Sequence, residues 1–394
     1  MNLLDLFKYF LKAKTAKVAI EPQLGFWSDL DNKCRTIKHE GGGSENGGHE
    51  AKKNIGRPIC VLAPMADVTD CAFRYVINKY GKPDVLWTEF VSADGLVRAN
   101  PDGMKKLLAD LKFDKNLEHP IVAQLFGSNP KYMEEACKIV ADLGYDGIDL
   151  NMGCPDKSIE RQKAGASMMK NPKLAKEIIF AAKRGAPNIP ITVKTRVGYN
   201  KDELDLWLRN ILEASPAVVT IHARTRKEMS KVPADWNYVK RAVEIRNEFQ
   251  KDLIVADKQH TLIFGNGDVT SVADAYKKAE ESGADGVMIG RGIFGNPWLF
   301  SALQKPIIRN ADGDFDVVQN EPTLREKLKV MVEHTQRFQD ELGGIKNFAV
   351  MKKHFKAYVN GFDGAKELRA ELMETNNAEE VREVVLGFLS KTSV

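Results

Sequence analysis

The chain has 394 residues, 43% of them hydrophobic and 28% charged, and carries a formal net charge of +4. Those values are ordinary for a soluble globular protein and exclude a chain too polar to bury a core. The length predicts two domains, or one large domain with extensions. The mild basicity permits nucleic-acid binding without arguing for it.

The five cysteines are Cys34, Cys60, Cys71, Cys137 and Cys154. They show neither metal-ligand spacing nor a disulfide-dense pattern, so no metal is expected and a reducing, cytoplasmic compartment is.

Residues 1–11 are apolar but interrupted by Asp5 and Lys8. The stretch is too short to span a bilayer and reads as a short amphipathic helix, so no membrane association is expected. Residues 41–48 read Gly-Gly-Gly-Ser-Glu-Asn-Gly-Gly, a flexible-linker composition, and nothing from about 31 to 56 is periodic. Residues 1–56 are therefore expected to form an N-terminal extension, mobile over 31–56.

From Arg57 onward, short β-branched runs alternate with longer amphipathic stretches. The runs cover 59–63, 85–87, 121–126, 147–150, 191–193, 218–221, 262–264 and 286–289. Helical patterns between them include 130–143, 172–184, 202–214, 236–249 and 271–282. Near-continuous apolar strands separated by helices imply a parallel sheet covered on its outer face. Eight of them over this length match a (β/α)8 TIM barrel, predicted over 57–305. The rival open sheet lacks its Gly-rich fingerprint after the first strand. Residues 253–256 are also apolar, which leaves an ambiguous segment and an insertion ahead of the seventh strand. After Pro306 the alternation stops, and 324–342, 346–359 and 378–389 read as helices of an all-helical C-terminal domain over 320–394.

The active site of such a barrel lies at the C-terminal ends of its strands. Those ends carry Pro64, Met65 and Ala66; Thr88 and Glu89; Gln124; Asn151 to Pro155; Lys194 and Arg196; His222, Arg224 and Arg226; Gly265 to Asp268; and Gly290 to Gly292. Glycine turns after strands seven and eight together predict a phosphorylated ligand, because backbone N–H groups can approach an anion there. Lys194 either pairs with a carboxylate such as Asp149 or Glu89, or stands as a cation beside an electron-rich ring, with Gln124 on another edge of that ring. Cys60, Cys71 and Cys137 read as small buried hydrophobes. Cys154, on an irregular loop, is the candidate proton donor, since a thiol near its reference pKa stays protonated at neutral pH.

The strings APMADVTD (63–70), QLFG (124–127), DLNMGCP (149–155), VKTR (193–196), HARTR (222–226), PADW (233–236), GNGD (265–268) and GVMIGRGIFGNPWLF (286–300) resemble, in order and spacing, the tRNA-dihydrouridine synthases. The resemblance is strong over 57–300 and weaker beyond. The segment Met229-Ser230-Lys231-Val232 departs from the family's usual loop before PADW. The resemblance implies reduction of specific tRNA uridines to 5,6-dihydrouridine, with FMN across the barrel mouth and NADPH as reductant. FMN contacts would come from Pro64, Met65, Ala66, Gln124, Lys194 and His222, and its phosphate end would meet Asn266, Gly267, Asp268, Gly290 and Arg291. Cys154 would protonate C5 of the uracil, and Asn151 and Arg196 would touch the substrate. A monomer with tRNA as partner is expected. The C-terminal lysines Lys346, Lys352, Lys353, Lys356 and Lys366 either contact the RNA backbone or form a solvated face. Two other readings stay open: a flavin barrel acting on a small pyrimidine, and a catalytically silent tRNA-binding protein.

Overall fold

A computed structural model describes residues 20–36, 57–305, 307–309, 315–317 and 321–391. Eight parallel strands run β1 Ile59–Leu62, β2 Leu86–Ser92, β3 Ile121–Phe126, β4 Gly147–Met152, β5 Ile191–Arg196, β6 Val218–His222, β7 Leu262–Asn266 and β8 Gly286–Ile289. The ladder passes from β1 through β8 and back down to β2. A parallel bridge between Val61 and Val85 joins its two ends, with Leu62 N–H donating to the Val85 carbonyl at 3.1 Å, so the sheet closes into a barrel. Closure removes both edges and aims every second side chain inward.

The helices that cover the strands begin where their local chemistry dictates. Asn129-Pro130 and Asn171-Pro172 each supply a side-chain acceptor and a residue whose missing N–H costs nothing in a first turn. Asn129 accepts from Lys131 N–H at 3.0 Å, and Asn171 from Leu174 N–H at 3.2 Å. The resulting helices, Pro130–Leu143 and Pro172–Gly185, bury Ala136, Val140, Ile178 and Ile179 against the sheet.

The floor of the barrel corrects one expectation. Residues 31–36, placed in a mobile segment, belong to the helix Phe26–Thr36. Its Trp27 is fully buried among inward-facing residues, 5.8 Å from the Trp87 ring and 5.5 Å edge-on to Phe264. Arg35 anchors the helix by pairing with Asp285 at 3.2 Å. The expected helix over 1–11 and the Gly-rich linker lie outside the described residues.

The ambiguous apolar run before β7 is also resolved. Lys251–Val255 is a helix, not a strand, and leaves Val255 77% exposed. The insertion is clasped at its base by Gln250, whose carbonyl accepts from Thr261 N–H at 2.9 Å and whose amide donates to the Thr261 hydroxyl at 3.1 Å.

Beyond the barrel come a short hairpin, Ile307–Arg309 with Phe315–Val317, and then helices Leu324–Leu342, Val350–Tyr358, Ala365–Glu374 and Ala378–Lys391. The hairpin and the helix Ala365–Glu374 were not anticipated. The helices pack Leu328, Met331, Phe338 and Phe355 against Ala72 and Val76 of the barrel helix Cys71–Gly81. Polar ties reinforce the contact: Lys79 pairs with Glu333 at 2.5 Å, and Lys346 reaches Glu89 of β2 and Asp110, the latter at 2.7 Å. Among the described residues no helix is long and apolar enough to cross a membrane.

Candidate active site

At the C-terminal ends of the strands lies a cavity of about 560 Å³, within the usual range for ligand sites. One end is built by the turns after β7 and β8. Gly267 adopts φ +126°, a backbone region that side chains disfavour. A Cβ on Gly292 would stand 2.4 Å from the Val269 carbonyl, so only glycine lets the two turns approach. Asp268 lies between two guanidinium groups, accepting from Arg224 and, at 3.0 Å, from Arg291. The bond from Arg224 holds its carboxyl below the usual range. Arg291 remains 61% exposed and so presents charge to the cavity rim.

The inner wall is formed by β5, β6 and β7. Lys194 donates to Asn266 Oδ1 at 3.0 Å, and Asn266 in turn donates to the Met288 carbonyl at 2.8 Å. Neither carboxylate weighed as a partner for Lys194 is bonded to it: Asp149, whose charge acts on Lys194 from a distance, accepts from Thr192 and Gln124, and Glu89 from Lys346. Burial, aided by the nearby Arg196 charge, brings the Lys194 ammonium down to about 8. The ammonium lines the cavity with no carboxylate bonded to it, which suits an electron-rich or anionic ligand. His222 is kept neutral, its pKa driven well below the ordinary value by burial and then by Arg196, Lys194 and Arg224. Arg224 donates to its Nε2 at 3.1 Å, so the ring proton resides on Nδ1.

Pro64, Met65, Lys194, His222, Asn266, Gly267, Asp268, Gly290 and Arg291 thus converge on one cavity. Ala66 lies instead on a separate cleft with Glu89 and Lys346. Gln124, Asn151, Cys154 and Arg196 form a second group beside the cavity. Gln124 is wholly buried, with Asp149 and Asn151 on its two amide ends at 2.6 and 3.0 Å. Arg196 donates to the carbonyls of Gly153 (2.9 Å), Thr225 (3.1 Å) and Met229 (3.1 Å), and burial lowers its pKa to about 10. Cys154 is half-buried; its N–H donates to Asn151 Oδ1 at 2.9 Å and its carbonyl accepts from Ala166 N–H at 2.9 Å. Burial raises the thiol above its ordinary value, against the lowering charges of Arg196 and Lys194, which keeps it protonated at neutral pH. The other four cysteines are buried.

Arg224, named at the end of β6 but given no role at the site, also lines the cavity, as do Ser230 and Thr270, which were not assigned to it. Arg224 was visible as a charge at the end of β6, and its 2% exposure with bonds to Asp268, His222 and the Val232 carbonyl explains its place. Ser230 and Thr270 sit on irregular turns with no periodic signal. Lys346, expected as an exposed cation for RNA or solvent, has a side chain only 12% exposed and is engaged by two carboxylates.

A sequence model of the family described as "Dihydrouridine synthase (Dus)" matches residues 61–392. A Staphylococcus aureus (strain Mu50) protein named "Probable tRNA-dihydrouridine synthase" is 38% identical over 84% of this chain and 93% of its own length. The Bacillus subtilis (strain 168) "Probable tRNA-dihydrouridine synthase 2" is 36% identical over 86% of this chain and 96% of its own. Among solved structures, histamine dehydrogenase from Rhizobium sp. 4-9 aligns with a TM-score of 0.45 and 14% identity over 63% of this chain and 45% of that one. The family model runs through the barrel strands, the cysteine loop and the C-terminal helices alike: this chain belongs to the dihydrouridine synthase family.

Proposed function

We propose that the protein reduces uridines in tRNA to 5,6-dihydrouridine, with FMN in the barrel mouth and NADPH as the reductant. The observation that carries this reading is a half-buried thiol, held above its ordinary pKa by burial, on the loop after β4, beside a cavity with a cationic inner wall and glycine turns with Arg291 at one end.

The residues fit a flavin mononucleotide. The glycine turns with Arg291, Ser230 and Thr270 match a phosphate, and Lys194 and neutral His222 match the polar edge of a tricyclic ring. A Cβ on Gly267 would intrude on that space, standing 3.2 Å from His222 Cδ2. When bound, the flavin supplies hydride to C6 of the pyrimidine.

The protein's own groups account for the rest. Charge that builds on C5 and O4 during reduction is met at C5 by the Cys154 proton, a general-acid contribution of roughly 10²–10⁴ in rate. The Lys194 charge favours electron-rich states of the site. Arg196 ties the cysteine loop to the 225–229 loop, fixing the thiol relative to the β5 end. A base enters this mouth only after leaving its stack, at a cost of a few kcal/mol that a loop nucleotide minimises. Cytoplasmic tRNA is the substrate pool this reading assigns.

The test uses purified protein loaded with FMN, NADPH and unmodified tRNA, with dihydrouridine measured by mass spectrometry. Product should appear, and Cys154→Ala should bind FMN normally while losing at least ~10²-fold in turnover. Free uridine or uracil replacing tRNA completely would favour a small-pyrimidine reductase. Tight tRNA binding without any flavin uptake would favour a silent RNA-binding protein.

A further inference from the structure

Beneath the cysteine loop lies a buried carboxylate that neither the cavity nor the thiol chemistry uses. Asp149, 1% exposed on the inward face of β4, accepts from the Thr192 hydroxyl and from Gln124 Nε2, each at 2.6 Å. Gln124 is entirely buried, so its amide direction is set by its neighbours and not by water.

The bonds form a directed series. Burial raises the Asp149 carboxyl, while the bonds from Thr192 and Gln124 and the Lys194 charge oppose the rise. Even with a proton on Oδ1, which could pass to the Thr192 oxygen, Oδ2 accepts and does not donate, so Asp149 selects the orientation of Gln124 with nitrogen toward it. The Gln124 carbonyl then faces the other way, where it accepts from Asn151 Nδ2 at 3.0 Å. That fixes Asn151 as well, leaving Oδ1 as the atom that accepts from Gly153 N–H at 3.2 Å and Cys154 N–H at 2.9 Å. Reversing any amide would set nitrogen against N–H groups further along the series. The orientation at the top of β4 is thus decided at Asp149, at the bottom of the series.

We propose that Asp149 is a positioning residue for the reaction, acting through Gln124 and Asn151 to hold the Cys154 loop in its productive place. The role rests on the proposed uridine reduction, with Cys154 as the acid. The same series leaves Gln124 with one orientation toward the cofactor that the barrel mouth fits.

Asp149→Asn tests this with little change in volume. The introduced amide can turn either of its atoms toward Gln124, because the Thr192 hydroxyl both donates and accepts, so the direction of the series is lost. Alkylation of Cys154 by iodoacetamide, followed by peptide mass spectrometry on the FMN-loaded protein, should quicken about tenfold as the loop bonds weaken. The four buried cysteines serve as slow internal references. Turnover should fall ~10²-fold while KM for tRNA stays within about twofold, as expected for a misplaced acid.

The swapped double variant Asp149→Asn/Gln124→Glu supplies the discriminating arm. The carboxylate now sits at position 124 and accepts N–H from the amide at position 149 and from Asn151, so Asn151 Oδ1 again faces the loop. Cys154 alkylation should return to the parent rate. If Asp149→Asn does not fold, the swapped variant alone decides: parent-like alkylation supports the series, and accelerated alkylation overturns it. A folded Asp149→Asn protein with parent alkylation and parent turnover also overturns it. Should the parent itself make no dihydrouridine while the alkylation pattern holds, the functional reading fails and the loop-positioning role of Asp149 survives.

Discussion

Replacing Lys346 with methionine removes the cation that joins the C-terminal helices to the barrel mouth. The ammonium is 12% exposed and lies between Glu89, 6% exposed, and Asp110, 28% exposed. Breaking a buried ion pair costs about 3–5 kcal/mol, because the surviving charge is left without compensation. Asp110 can turn to water and Glu89 keeps its bond from Asp67 N–H, so we expect about 2–3 kcal/mol at pH 8. Burial, with Asp70 and Asp110 adding to it, pushes Glu89 up to about 7 even against Lys346. An acid whose folded pKa exceeds its unfolded value takes up protons on folding. Its stabilising contribution is therefore complete below about pH 4.5 and lost as pH rises through about 7. In Lys346→Met the folded-state value rises further, so the loss should shrink to about 1 kcal/mol at pH 5, where Glu89 is neutral. Urea unfolding of the parent, Lys346→Met, Glu89→Gln and the double variant at pH 5 and pH 8 measures each term. Glu89→Gln should recover most of the loss at pH 8. Equal losses at both pH values, or strict additivity in the double variant, would refute the reasoning.

Three other outcomes follow from the geometry. Trp27→Ala should cost about 3–5 kcal/mol, read as a lower urea midpoint, since no water can replace an indole packed between Trp87 and Phe264. FMN affinity, followed by flavin fluorescence quenching, should fall as pH rises through about 8, where Lys194 loses its proton, and should be weaker but flat in Lys194→Gln. Over that same window, from about 8 to the unfolded lysine value, ligand-free stability should rise, because the unfolded chain retains the proton longer. Gly267→Ala, forced to hold φ +126° with its methyl 2.8 Å from Ala234 Cβ, should weaken FMN binding by roughly 10–100-fold; unchanged affinity would disprove the close fit.

What could be read from the residues alone divides by the range of the interaction. The strands at 121–126 and 286–289 and the helix starting at Pro130 were legible to the residue, because β-branched runs and Asn-Pro starts are local signals. The helix Phe26–Thr36 was not, since its apolar face makes sense only against a barrel floor assembled from residues far along the chain. The helix Ala365–Glu374 buries only Ala365, Leu368 and Leu372, too sparse a stripe to stand out. The strand-end logic located eleven of the cavity residues, but not what occupies their polar atoms. That Asn266 would take up the Lys194 proton donor, or Asp268 two arginines, depends on inter-strand register. Lys346 shows the same limit: five lysines close in sequence looked alike, yet one of them is drawn into the barrel.

The two mouths of a ring of strands make opposite demands. The upper one must admit a ring and a nucleotide; the lower one must stay dry. Here the stopper is brought by a helix that precedes the repeating βα pattern and takes no part in it. A shortened chain starting at Arg57, where that pattern begins, would keep every strand and every candidate catalytic group yet expose an indole-sized hole to water from below. Its failure to bind flavin would then report a leak in the foundation, with the chemistry at the top still intact in sequence.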